Sequence, residues 1–106
     1  MSTYVVLLSL TDAGRGNLNA TLAGTDAVLR QNVEANGGTL TALHWTLGAY
    51  DAVVVADIPD ELAPGFSAWL STELGATTTT LRASSSDDLL EGLNRWRGPD
   101  TSGLGP

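Results

Sequence analysis

His44 is the only histidine in the chain, and few other side chains beside it can do chemistry: Thr46, Tyr50, Asp51 and Arg82. A neutral imidazole is a base near pH 7, a carboxylate can orient it, and a guanidinium can steady developing negative charge. Thr46 and Tyr50 add hydroxyls that can point a ligand. Four of the five fall in one short stretch, His44-Trp45-Thr46-Leu47-Gly48-Ala49-Tyr50-Asp51. Their use depends on how the chain turns there.

Apolar β-branched runs flank Gly48, and Gly accepts the positive φ that a tight two-residue turn demands. Strands over 39–47 and 50–57 therefore form a hairpin with Gly48-Ala49 at its tip. Leu47 then faces Tyr50 and Thr46 faces Asp51. Alternation puts Leu43, Trp45, Leu47, Tyr50, Ala52 and Val54 on one surface, and Ala42, His44, Thr46, Asp51, Val53 and Val55 on the other. The first suits packing under helices. The second mixes polar and apolar groups, as a cavity lining would. Arg82, between alternating threonines, is expected on that second side, two strand spacings or roughly 10 Å from Asp51. His44, Asp51 and Arg82 would then be the candidate catalytic set, with Thr46 and Tyr50 completing a ligand-binding group.

Each of these residues has a plainer role. Asp51 beside a hairpin turn is placed to cap backbone amides. Tyr50 can pack on Trp45. Arg82 can pair with Asp51 or Asp12, and a single histidine on a strand is usually a packing or interface residue. A one-residue slip would reverse both faces. Trp45, Trp69 and Trp96 fall on apolar faces and read as core or interface. Asp12 reads as a cap for the turn after the first strand.

The remaining elements follow from period and punctuation. Residues 3–10 are apolar on both faces, as in a central strand. Residues 11–24, with Gly14 and Gly16, read as a loop or a poorly formed helical turn. Residues 26–36 read as a helix capped by Thr25 and stopped at Asn36-Gly37-Gly38. Pro59-Asp60 opens a helix with Leu62, Phe66, Trp69, Leu70 and Leu74 on one face, closed by Gly75. A threonine-rich strand covers 76–84. Ser85 or Ser86 caps a last helix with Leu89, Leu90, Leu93 and Trp96 on one face. Residues 1–98 make one domain, and 99–106 are expected to be a disordered tail.

The order β-α-β-β-α-β-α is an α+β, ferredoxin-like antiparallel sheet with an added C-terminal helix. Right-handed crossovers put the first and third strands in the centre and the second and fourth on the edges. Two helices cover one face of such a sheet. The other carries Val and Leu, so a homodimer packed sheet to sheet is expected.

Composition narrows the function classes. Twelve acidic against five basic residues give a net charge of −7, and all five bases are Arg. That field repels polyanions, so nucleic acid is a poor partner. With no Cys, thiolate chemistry and Cys-based metal sites are excluded. One His among scattered carboxylates has no metal-ligand spacing. No Gly-rich phosphate loop or Gly-x-Ser-x-Gly elbow is present, so no cofactor is expected. No apolar stretch matches a membrane span, and the strand that starts near Met1 resembles no signal peptide, which makes a cytoplasmic location the expectation.

The hairpin residues Trp45-Thr46-Leu47-Gly48 and Tyr50-Asp51, with Tyr4-Val5-Val6-Leu7-Leu8, Thr11-Asp12, Gly14, Gly37-Gly38 and Thr80-Leu81-Arg82-Ala83, resemble the GYD domain family, in which Gly48, Tyr50 and Asp51 stand at the naming positions. The resemblance implies a relationship to dimeric α/β barrels. That superfamily includes cofactor-free oxygenases, cyclases, dehalogenating and haem-handling enzymes and ligand sensors, so it does not select a reaction. The basic residues and Pro that relatives carry after Asn17 are replaced here by Leu18-Asn19-Ala20-Thr21, so an anion site does not transfer. The leading expectation is a homo-oligomer that binds a small, largely apolar molecule. The alternatives are a cofactor-independent oxygenase, isomerase or cyclase, and a structural interaction module.

Overall fold

The computed structural model describes residues 1–98, and the expected tail at 99–106 lies outside them. Four strands form one antiparallel sheet: β1 (Ser2–Leu10), β2 (Thr39–Trp45), β3 (Ala52–Ile58) and β4 (Ala76–Ala83), in the order β2-β3-β1-β4. The α+β ferredoxin-like arrangement and the central pairing of β1 with β3 follow the sequence reading. The helices are α1 (Asp12–Gly16), α2 (Leu18–Ala35), α3 (Ala63–Leu74) and α4 (Ser86–Arg97), with a 3-10 turn at Asp60–Leu62 before α3.

Strict alternation in the central strands fixes the two faces. Tyr4, Val6, Leu8 and Leu10 of β1 and Ala52, Val54, Ala56 and Ile58 of β3 are buried. They pack with Leu29 and Val33 of α2 and with Phe66, Leu70 and Leu74 of α3. Full burial of a side chain such as Val6, Leu8, Leu29 or Leu70 contributes about 1.5–3 kcal/mol, so this layer carries most of the fold's stability. The opposite side of the sheet displays Val5, Leu7, Val53 and Val55, all half-buried, together with exposed Leu81. No helix covers it.

Within 11–24, residues 12–16 and 18–24 are helical, so of the two readings, loop or poorly formed helical turn, the helical one holds and the helix is better formed than expected. Thr11 caps α1, accepting the Gly14 amide on its hydroxyl at 3.3 Å. α2 then begins at Leu18. Thr25 is no N-cap: it is buried in mid-helix, and its hydroxyl bonds back to the Thr21 carbonyl. Contact of Leu29 and Val33 with the sheet outweighs the weak helix propensity of the Asn, Thr and Gly residues before them. α3 ends as expected at Gly75, in the left-handed region at φ 61°. The hairpin keeps the expected register, with Trp45 opposite Ala52 and the Thr46 amide bonded to the Asp51 carbonyl at 2.9 Å. β2 also carries an irregularity between Leu40 and Ala42, which the sequence did not signal.

The last helix is different. No residue of α4 is buried, and the radius of gyration is 17.6 Å against about 13 Å for a compact chain of this length. α4 stands away from the body it follows.

Candidate functional site

The turn between β2 and β3 holds three of the five site residues, Thr46, Tyr50 and Asp51, and His44 precedes it near the end of β2. Gly48 takes φ 116° there, the conformation that calls for Gly. The Thr46 hydroxyl donates to the Tyr50 carbonyl at 2.7 Å and closes the turn. Asp51 ties the turn to the neighbouring strand. Its amide donates to the Leu8 carbonyl, and its carboxylate accepts the Leu10 amide, both at 2.7 Å. The same carboxylate oxygen meets the Arg15 guanidinium at 3.4 Å. Asp51 is therefore a fastener for the end of β1, and one of its two carboxylate oxygens, Oδ2, serves both the Leu10 amide and Arg15.

His44 lies opposite Val53 on the uncovered side of the sheet and is exposed. Tyr50 and Leu47 fall beyond the last ladder pair and are exposed, Leu47 completely. The face that was to pack under helices thus does so for Ala52, Val54 and Leu43 but ends before the turn.

Arg82 is the correction. It lies opposite Tyr4, on the helix side of the sheet. Thr78 and Thr80, on the same side, bond Ser67 of α3 at 2.8 Å each. It also sits at the wrong end. β3 and β4 both run antiparallel to β1 and hence parallel to each other, so a residue before β3 and one near the end of β4 are far apart. Tyr4 and Leu8, which mark the two places on β1, are separated by about 13 Å along the strand. The structure does not bring His44, Asp51 and Arg82 together.

Arg82 instead belongs to a polar group at the other end of the sheet, which the sequence reading did not find. Tyr4 donates its hydroxyl to Asp60 at 2.8 Å, and the N-terminal amine stands 3.6 Å from the same carboxylate. Hydrogen bonds from Ser2 and Tyr4 hold the Asp60 carboxyl below its usual range, with smaller help from the amine and Arg82. The bond to Asp60 pushes the Tyr4 phenol up. Close by, Thr3 donates to Asp57 at 2.5 Å. Pro59-Asp60 after a strand was the available signal, but it was legible only as a helix start.

Two concave regions accompany these groups. A cleft of about 220 Å³ opens between α2 and α3, lined by Val33, Ile58, Leu62, Phe66 and Trp69. A wide hollow of about 920 Å³ lies between the end of the sheet and the first turn of α4, lined by Thr3, Asp57, Arg82, Ala83 and Asp88 among others. Among the described residues no group of three or more His, Asp or Glu is placed to hold a metal ion. No described helix is long and apolar enough to cross a membrane.

The turn geometry puts Gly48, Tyr50 and Asp51 in one compact unit, and the family model for the GYD domain matches residues 4–93. The chain belongs to the GYD domain family. No curated protein and no solved structure matches it. In this GYD domain the aspartate of the motif serves the sheet directly, through the Leu10 amide.

Proposed function

We propose that this GYD domain self-associates through the uncovered side of its sheet and holds a small, largely apolar molecule there, with His44 as the polar contact at one edge. One observation carries the reading. Val5, Leu7, Val53, Val55 and Leu81 form an apolar expanse on a face that no described element covers. Such a face in an acidic chain marks an interaction surface. Thr3, Thr79 and Ala42 at its margins supply small groups that leave room for a ligand.

An acid–base mechanism through His44, Asp51 and Arg82 has no support in this geometry, because Arg82 is on the other side and Asp51 is engaged by Leu10 and Arg15. Binding is thus favoured over catalysis.

Sedimentation of the full chain and titration with Nile red, a neutral apolar dye, test the proposal. The expected result is a mass above one chain and dye emission that saturates, with some members of a metabolite panel raising the melting temperature. A single-chain mass at tens of micromolar protein, with no dye response and no stabilising compound, overturns it.

A further inference from the structure

We propose that α4 is an arm that packs on a second copy of the chain instead of on its own domain; the inference rests on the self-association just proposed and names the element that secures it. α4 is locally well specified. Ser85 caps it by accepting the Asp88 amide at 3.0 Å, Asp87 and Asp88 occupy the first turn and Arg95 and Arg97 the last, and Glu91 pairs with Arg95 at 2.8 Å. Those features suit its dipole. Yet a helix of this length is marginal in water, and helices of folded proteins draw most of their stability from packing an amphipathic face.

α4 has such a face, and among the described residues none of it is buried. At 100° per residue, Leu89, Leu90, Leu93 and Trp96 fall within an arc of about 120°. Leu89 is 67% exposed and Trp96 90%. The chain therefore carries two uncovered apolar surfaces, this stripe and the open side of the sheet. Their elements meet at one end: Asp88, in the first turn of α4 beside the stripe, and Thr3, Asp57 and Ala83 on the open side line the same hollow of about 920 Å³. The first turn of α4 and the end of the sheet are two walls of one concavity.

Area and symmetry select the occupant. A stable interface takes about 800 Å² from each partner. Four strands about 4.8 Å apart give the open side a footprint of about 400 Å², and one side of a 12-residue helix gives about 200 Å². Neither footprint meets the requirement alone, whereas the corrugated side-chain surface over both comes close. A second copy offers the same two walls, so a two-fold arrangement covers both surfaces of both chains with one contact. Charge does not oppose it. In a chain of net charge −7, the strands present one carboxylate on the open side, Asp57, at its margin and engaged by Thr3. α4 itself brings both signs.

The test is a chain ending at Ser84, beside the full chain with Leu90→Asp and Leu93→Asp. Because no residue of α4 is buried against its own domain, both variants are expected to keep the circular dichroism of the remaining elements and to dimerise at least ten-fold more weakly by sedimentation equilibrium. Variants that associate as tightly as the full chain overturn the arm and leave self-association standing. A full chain that is monomeric overturns both. Truncation that lowers the melting temperature under conditions where the full chain is already monomeric shows α4 packing on its own domain, and overturns the arm.

Discussion

The Asp51 carboxylate accepts the Leu10 amide at 2.7 Å and thereby binds the β2–β3 turn to the last residue of β1. A backbone amide that loses such a partner while partly buried costs about 1–3 kcal/mol. Asp51→Ala should therefore destabilise by that amount in urea unfolding. Asp51→Asn keeps an oxygen acceptor and should cost less. Arg15→Ala removes only an exposed ion pair and should cost under about 1 kcal/mol. Equal effects of Asp51→Ala and Arg15→Ala would mean that the ion pair, not the amide, is what Asp51 serves.

Gly14 and Gly24 should respond to alanine in opposite directions. A Cβ at Gly14 would sit 2.3 Å from the Gly75 carbonyl oxygen and 2.8 Å from that of Leu74. Backbone must move, in the same contact where the Thr11 amide bonds Gly75 at 2.8 Å. Overpacking of this kind costs about 1–3 kcal/mol. Gly24 lies inside α2 with nothing within 4 Å of a Cβ, so Gly24→Ala should gain about 0.5–1 kcal/mol from helix propensity. Thermal melts of the two variants decide both signs.

The Tyr4–Asp60 bond predicts a response at each end of the pH scale. Asp60 is held below its usual range in the folded chain, so its contribution is present above about pH 4, the usual carboxylate value, and is lost as pH falls through the lower folded value. Tyr4 is raised, so its contribution is present below about pH 10 and is lost as pH rises through the higher folded value. Tyr4→Phe should move Asp60 up toward its ordinary titration, read from the carboxyl carbon shifts of labelled aspartate. An unmoved Asp60 would show that Ser2 and the N-terminus hold it without the phenol.

The hairpin was legible because three signals agree there: alternation on both strands, Gly48 at the tip, and the apolar run through Val55. β4 was not, because Ala76 and four threonines carry no alternation from which to read a face. Only pairing with β1 places Arg82 opposite Tyr4, and pairing is a tertiary fact. The start of α2 was hidden in the same way: Asn17, Asn19, Thr21 and Gly24 favour other conformations locally, while Leu29 and Val33 supply a core contact that the window around Leu18 does not contain. Trp96 shows the converse. Its place on the apolar stripe of α4 was plain from spacing, but spacing does not say whose surface the stripe meets.

His44 and Val55 separate binding from folding on the open side of the sheet. His44 is exposed and opposite Val53 on an edge strand, so His44→Ala should change stability by no more than about 0.5 kcal/mol. Val55 stands mid-sheet on the uncovered side, opposite Val5. Val55→Glu should leave the core beneath untouched, since Val54 and Ala56 face the helices, yet place a charge on the proposed contact between copies. The expected outcome is a folded Val55→Glu chain that sediments as one copy and no longer binds Nile red, beside a His44→Ala chain that still dimerises and binds dye or a stabilising compound more weakly. If Val55→Glu dimerises normally, the apolar side of the sheet is not the contact. If His44→Ala binds every probe as the parent does, the ligand lies away from that edge, and the α2–α3 cleft around Phe66 and Trp69 becomes the place to look.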